Sequence, residues 1–382
     1  MSTDLLPNQR ALFDLPRDVA YLNCASMSPL LRAATEAGIE AIRRRARPWS
    51  LSGDTWFDAA EALRGTAARL MGTEADAIAL VPAVSYGVAI AAANVPVARG
   101  QNVVILHEQF PSNAYAWREL TRTRDAELRI ARRAPADDWT AAVLEAIDRN
   151  TAVVALPYCH WTDGTRVDLV TVGARAREVG AALVVDASQA FGALPLELAS
   201  VQPDFLVSVG YKWQLGPYSL GYLYAAPQWC RSGRPIEHSW ATRKGAEDFA
   251  ALTDYAAEYR PGARRFDMGE YSQFVLAPIA LAGLTQLLDW GVERVQATLR
   301  RVTDRIAAEA EALGLEVLAP ERRVGHLLGI RFPGGLPPDL AQRLDAARVH
   351  VSIRGDAVRV SPHLYNDEQD VARFLEVLGE LA

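Results

Sequence analysis

Two residues in this chain have the types and settings that amine chemistry on an aldehyde cofactor requires. Lys212 lies in the run Ser208-Val209-Gly210-Tyr211-Lys212-Trp213, and Asp186, twenty-six positions earlier, ends the apolar run Ala181-Ala182-Leu183-Val184-Val185. A lysine with a lowered pKa can hold an aldehyde as a Schiff base, and a buried carboxylate can keep a pyridine nitrogen protonated. Pyridoxal 5′-phosphate (PLP) needs both to work as an electron sink. The carboxylate belongs at the carboxyl end of a parallel strand, because open α/β sheets bind ligands in the crevice beyond those ends. Taken singly, Asp186 also reads as a helix cap and Lys212 as a strand-end charge. Together, and with the candidates that follow, they favour the cofactor reading.

A phosphate dianion needs backbone amides at a helix N-terminus and hydroxyl donors. Ala83-Val84-Ser85-Tyr86-Gly87 follows the apolar run Ala79-Leu80-Val81 and opens an alanine-rich helix. Val84 and Ser85 are candidates there, although a serine at a helix start is also simply an N-cap. Ser208 and Tyr211 flank Lys212 and offer two more hydroxyls. A pyridine ring also needs an apolar lid, and Phe110 in His107-Glu108-Gln109-Phe110-Pro111 follows a strand at the right edge. A phenylalanine at such a place can equally be core. Gln189, three residues past Asp186, can donate to the ring's phenolic oxygen.

These residues need an α/β scaffold. From about residue 30 helical patterns alternate with short apolar runs, as in a doubly wound parallel sheet. Helices are expected at 30–47 and 54–71, and strands at 77–81, 102–107, 151–157, 181–186, 204–209 and 220–225. Further helices are expected at 112–123, 138–149 and 168–179. After about Pro261 the pattern changes to a long helical stretch over 274–313, short strands at 326–332, 349–353 and 357–360, and a final helix from Asn366. The expected organisation is a large domain over 20–260, a smaller α+β domain over 261–382, and an N-terminal arm over 1–19 packing on the latter.

Composition narrows the function. The chain has 382 residues, half of them hydrophobic, and a net charge of −6, which argues against nucleic-acid or membrane-surface binding. Its three scattered cysteines, Cys24, Cys159 and Cys230, form neither a disulfide framework nor a metal cluster, so a cytoplasmic protein without a metal site is expected. No signal peptide and no membrane span are expected. A nucleotide-dependent oxidoreductase would need a G-x-G-x-x-G turn after a strand, and the sequence contains no such match.

The segments Val185-Asp186-Ala187-Ser188-Gln189-Ala190-Phe191-Gly192, Pro203-Asp204-Phe205, Gly210-Tyr211-Lys212-Trp213-Gln214-Leu215-Gly216-Pro217 and Gly221-Tyr222-Leu223-Tyr224 resemble the PLP-binding core of the class V aminotransferase family. That family has fold type I and includes cysteine desulfurases, kynureninases and isopenicillin N epimerase-like enzymes. The similarity runs from Tyr21-Leu22-Asn23-Cys24-Ala25 to Arg359-Val360-Ser361-Pro362-His363 and beyond. The resemblance implies Lys212 as the Schiff-base lysine, Asp186 as partner of the pyridine nitrogen, Gln189 at the phenolic oxygen, and Val84, Ser85, Ser208 and Tyr211 around the phosphate. Phe110 would stack on the ring. Arg359 would clamp the substrate carboxylate bidentately, with Arg354 a second candidate, while Asn23 and Trp161 would face the substrate. Trp240 and the stretch Gly269-Glu270-Tyr271-Ser272-Gln273 resemble segments that reach the neighbouring subunit's active site, implying a homodimer.

Family members share removal of the α-proton and differ afterwards. Desulfuration needs a mobile cysteine near the carboxylate-binding arginine, and Arg354-Gly355-Asp356-Ala357 has none. Cys24 and Cys159 fall near the site's edge, where inert buried thiols are the plainer reading. Trp161, in His160-Trp161-Thr162-Asp163-Gly164, suggests a substrate with an apolar or aromatic side chain. Ser188 departs from the small apolar residue usual beneath the ring. The expectation is an enzyme acting on an amino acid or amino-acid conjugate, with transamination first, β-elimination close behind and epimerisation third.

Overall fold

The computed structural model describes residues 4–133 and 138–382, so residues 1–3 of the expected arm lie outside it. The central sheet has seven strands in the order Ile78–Val81, Gly221–Ala225, Phe205–Val209, Ala182–Asp186, Thr151–Pro157, Asn102–Leu106 and Glu127–Ala131. All pairings are parallel except those of Gly221–Ala225, which runs antiparallel to both neighbours. All but the edge strand Glu127–Ala131 are almost wholly buried because they are mostly apolar on both faces, as a sheet covered by helices demands. One face carries the helix Val84–Asn94 with Trp117. The other carries the helices Asp58–Met71, Trp139–Ala146, Leu169–Val179 and Leu276–Trp290.

A second sheet, in the order Ser352–Arg354, Ala357–Val360, Leu328–Arg331 and Glu316–Val317, is antiparallel throughout. It has its own core with the helices Val292–Ala312, Leu340–Ala346 and Glu368–Gly379. Ala20–Tyr21 pairs in parallel with Val349–His350, so Ala20 and Leu22 join this second core. The preceding segment runs along it: Leu6 N donates to Thr298 Oγ1 at 2.9 Å, Gln9 N to the Leu364 carbonyl at 2.8 Å, and Arg10 pairs with Asp370 at 2.7 Å.

Four elements depart from expectation. The stretch 274–313 is two helices, broken at Gly291, whose φ of 77° lies in the left-handed region. The helix expected from residue 54 starts at Asp58, after a separate turn at Gly53–Thr55. The span 349–353 is two strands, Val349–His350 in one sheet and Ser352–Arg354 in the other. The edge strand Glu127–Ala131 was not expected, because its half-exposed residues Glu127 and Arg129 carry no apolar run.

Candidate active site

Lys212 follows the strand Phe205–Val209 and is 6% exposed. The turn that carries it requires glycine: a Cβ on Gly210 would lie 2.7 Å from the Leu220 carbonyl oxygen. The Lys212 Nζ stands 5.3 Å from the Phe110 ring centroid and 5.7 Å from that of Tyr211, and no hydrogen bond or ion pair among the described residues holds it. Burial, reinforced by Arg359 and Arg354 and opposed by Asp186, lowers its pKa to about 8. The amine is therefore partly neutral near neutral pH, the form that attacks a carbonyl or takes a proton.

Asp186 ends the neighbouring strand, Ala182–Asp186, and the adjacent strand positions follow from parallel pairing. Its Oδ1 accepts from the Ser188 amide at 2.9 Å. Burial raises its pKa, against the pull of Ser188 and Lys212. The Ser188 hydroxyl, buried beside this carboxyl, has no hydrogen-bond partner among the described residues.

One cleft is lined by Lys212, Asp186, Gln189, Phe110, Trp161 and Cys159. Phe110 and Trp161 meet edge to face at 5.4 Å, and the Trp161 indole donates to the Glu108 carbonyl at 2.8 Å. The Gln189 carboxamide is fixed at both ends: its Nε2 donates to the Ala25 carbonyl at 3.0 Å, and its Oε1 accepts from Trp213 Nε1 at 2.8 Å. One of the two amide hydrogens is thus committed, leaving one for a ligand.

Arg359 joins this cleft through Trp161, whose carbonyl accepts from Nη1 at 2.9 Å. Its Nη2 donates to Ser352 Oγ at 3.3 Å, and Ser352 in turn donates to Asn23 Oδ1 at 2.7 Å. Arg354 places its guanidinium 5.7 Å from the Trp161 ring centroid. Burial and Arg354 lower the Arg359 pKa to about 9, still charged at neutral pH.

The helix Val84–Asn94 opens at Ala83 with no side-chain cap, so its first-turn amides and the exposed Ser85 hydroxyl are free to meet an anion. Tyr211 is half-buried, 4.5 Å from the Tyr218 ring.

Ser208 does not belong with them. Alternation along its strand turns Val207 and Val209 toward the face that carries Val84–Asn94, and sends Ser208 to the opposite face. There its fully buried hydroxyl donates to the Ala187 carbonyl at 3.4 Å and accepts from Gln214 Nε2 at 3.0 Å. On the side that carries Val84–Asn94 the neighbouring strand residue is the apolar Val209.

Trp240 and Ser272 lie outside this chain's own Lys212 cleft. Trp240 packs on Phe57 and Phe249, and the two segments meet where Ser239 Oγ donates to the Gly269 carbonyl at 2.9 Å.

Cys24 and Cys159 are fully buried; burial pushes the Cys159 thiol to about 12 and raises that of Cys24. Neither is poised as a nucleophile. Two contributing residues had no distinguishing signal in the sequence, Trp213 and Ser352. Ser352 becomes identifiable only through the hairpin register that sets it opposite Arg359.

Comparison with known proteins agrees with this architecture. The chain is 26% identical to a probable cysteine desulfurase of Methanothermobacter thermautotrophicus, over 97% of this chain and 96% of that protein. It is 29% identical to a kynureninase of Deinococcus radiodurans over 70% of this chain and 65% of that one. It superposes on a cystine C–S lyase, solved with its reaction product cysteine persulfide, with a TM-score of 0.85 and 19% identity, covering 95% and 98% of the two chains. The class-V aminotransferase model matches residues 49–374. The chain therefore belongs to the class-V aminotransferase family and is a PLP-dependent enzyme of fold type I.

Proposed function

We propose that this enzyme cleaves a bond at the β-carbon of an amino acid, a lyase reaction with Lys212 as the proton carrier. The donor set fits PLP. Lys212 offers an unpaired amine to the aldehyde, Asp186 a buried carboxyl to the pyridine nitrogen, and Gln189 a spare amide hydrogen to the phenolic oxygen. Phe110 supplies a flat apolar wall, and Val84, Ser85 and Tyr211 supply donors for the phosphate. When bound, PLP supplies an electron sink that makes the α-proton of an attached amino acid removable.

The chain's own residues do the rest. Arg359, held by Trp161 and Ser352, clamps the α-carboxylate and so orients the α-hydrogen. Lys212 Nζ takes that proton, its pKa of about 8 matching the working range. Phe110 and Trp161 shield the cleft from water.

The observation that carries this reading is the unpaired Lys212 amine in an aromatic-walled cleft whose thiols are inert. A desulfurase needs a protein thiol to accept sulfur, whereas simple elimination does not. The likeness to a cystine C–S lyase supports the same direction. Epimerisation is disfavoured because Phe110, facing Lys212, carries no proton. The test is product analysis with cystine and cysteine S-conjugates. Pyruvate and ammonia in equal amounts are expected, matched by the free thiol from an S-conjugate and by cysteine persulfide from cystine; accumulation of the pyridoxamine form of the cofactor would instead mean transamination, and alanine formed from free cysteine, run alongside, would mean desulfuration.

A homodimer is part of the proposal. The face carrying Trp240 also carries Tyr255, 96% exposed, and Phe249, and such aromatic exposure suits an interface. Among the described residues no helix is long and apolar enough to cross a membrane.

A further inference from the structure

Two arginines face the cleft from one hairpin. In the pairing of Ser352–Arg354 with Ala357–Val360, Ser352 stands opposite Arg359 and Arg354 opposite Ala357. Opposed residues, and those two positions along, share a sheet face, so Arg354 and Arg359 project from the same side as diagonal neighbours. Both reach Trp161, Arg359 through its carbonyl and Arg354 over its ring.

Neither guanidinium has a counter-charge. Among the described residues no carboxylate makes an ion pair with Arg354 or Arg359, and the Nε of each is buried without a partner. The nearest acid in sequence, Asp356, is taken by Arg331 at 3.0 Å. Arg359 is buried, whereas Arg354 is partly exposed and donates from Nη1 to the Ile353 carbonyl at 2.9 Å; the buried arginines Arg64 and Arg323 are each paired, with Asp267 at 2.8 Å and with Asp304 at 2.5 Å. A guanidinium with a buried, unpartnered Nε and no carboxylate beside it is costly to keep, and a ligand anion can supply the missing partner. The α-carboxylate accounts for Arg359 and leaves Arg354 over, while the phosphate candidates Val84 and Ser85 lie at the start of a different helix.

We propose that the substrate carries a second acidic group on its side chain or β-substituent, and that Arg354 selects it. This rests on the reading of the Lys212 cleft as an amino-acid site. The substrate class is then an amino acid or cysteine conjugate with a short apolar stem, lying along Phe110 and Trp161, that ends in a carboxylate or a similar oxyanion.

The test uses the holoenzyme and acids that have no amino group to react. Succinate and glutarate are compared with butyrate and valerate by calorimetry, in wild type, Arg354→Gln and Arg359→Gln, with circular dichroism as the check on folding. One charge-assisted contact corresponds to about tenfold or more in Kd, so the dicarboxylates should bind that much more tightly to wild type. The preference should collapse toward about one in Arg354→Gln, since only the second contact is lost. Arg359→Gln should weaken both classes. Equal affinities in wild type, no binding of any of the four, or a preference that survives Arg354→Gln would overturn the proposal. The lyase reading fails by a separate result, no product and no spectral change with any amino acid.

Discussion

At Lys212 the physical question is why an amine is kept from water at all. Its pKa falls from 10.5 to about 8 in the folded chain. Between those values the unfolded chain binds the proton and the folded one does not, so stability rises with pH across that window. Below about pH 8 the full penalty applies, roughly 3 kcal/mol for a shift of this size. The cofactor-free Lys212→Met variant should therefore melt higher than wild type at pH 7, with the gap closing by pH 10; equal melting curves at pH 7 would contradict this. Trp213 makes a second prediction. Replacing it by Phe removes the donor that fixes Gln189 Oε1 and leaves that buried oxygen unsatisfied, a cost of about 1–3 kcal/mol. PLP affinity, followed by fluorescence titration, should fall about tenfold or more as the carboxamide loses its orientation.

Elements decide which of these residues can meet. The motif around Lys212 and Asp186 was legible because both end apolar runs, and runs of that kind end where a parallel sheet binds ligands. Ser208 misled for a reason on the same scale: proximity in sequence to Lys212 says nothing about face, and a period of two sends it to the far side of the sheet. Ser208→Ala should accordingly cost about 1 kcal/mol of stability and leave PLP affinity within about twofold, whereas Ser85→Ala should weaken PLP by about tenfold. Equal effects of the two on PLP affinity would contradict the assignment of faces. The helix that bears Ser85 is seated by Gly87, where a Cβ would lie 2.6 Å from Val207 Cγ2. The break at Gly291 and the edge strand at Glu127–Ala131 were not legible, because helical periodicity continues across the first, and the second alternates polar and apolar residues over only five positions instead of forming the continuous apolar run that marks the buried strands.

Across the whole molecule, stability depends on buried polar groups far apart in sequence. Arg64, on the helix Asp58–Met71, is bidentate to Asp267, which also accepts from the Leu80 amide at 2.7 Å. Arg64→Met would strand that carboxylate and cost about 3–5 kcal/mol, read as a fall in the urea midpoint. His326 and His363 pack against Trp213 and are held neutral by burial, with pKa values lowered to about 4 and about 3. Their unfolded forms protonate below about pH 6.5, so the stability present above that pH is lost as pH falls toward the folded values. The melting temperature should drop steadily from pH 7 to pH 4, and His363→Phe should flatten part of that slope.

The central claim is that Lys212 holds the cofactor, and the composition makes it unusually easy to test. The chain contains two lysines, Lys212 in the cleft and Lys244, exposed and paired with Glu258 at 2.7 Å. Protein loaded with PLP, reduced with borohydride, digested and mapped by mass spectrometry should carry the pyridoxyl mass on the Lys212 peptide alone, at close to one per chain. A label on Lys244 instead, or no label on either, would contradict the account.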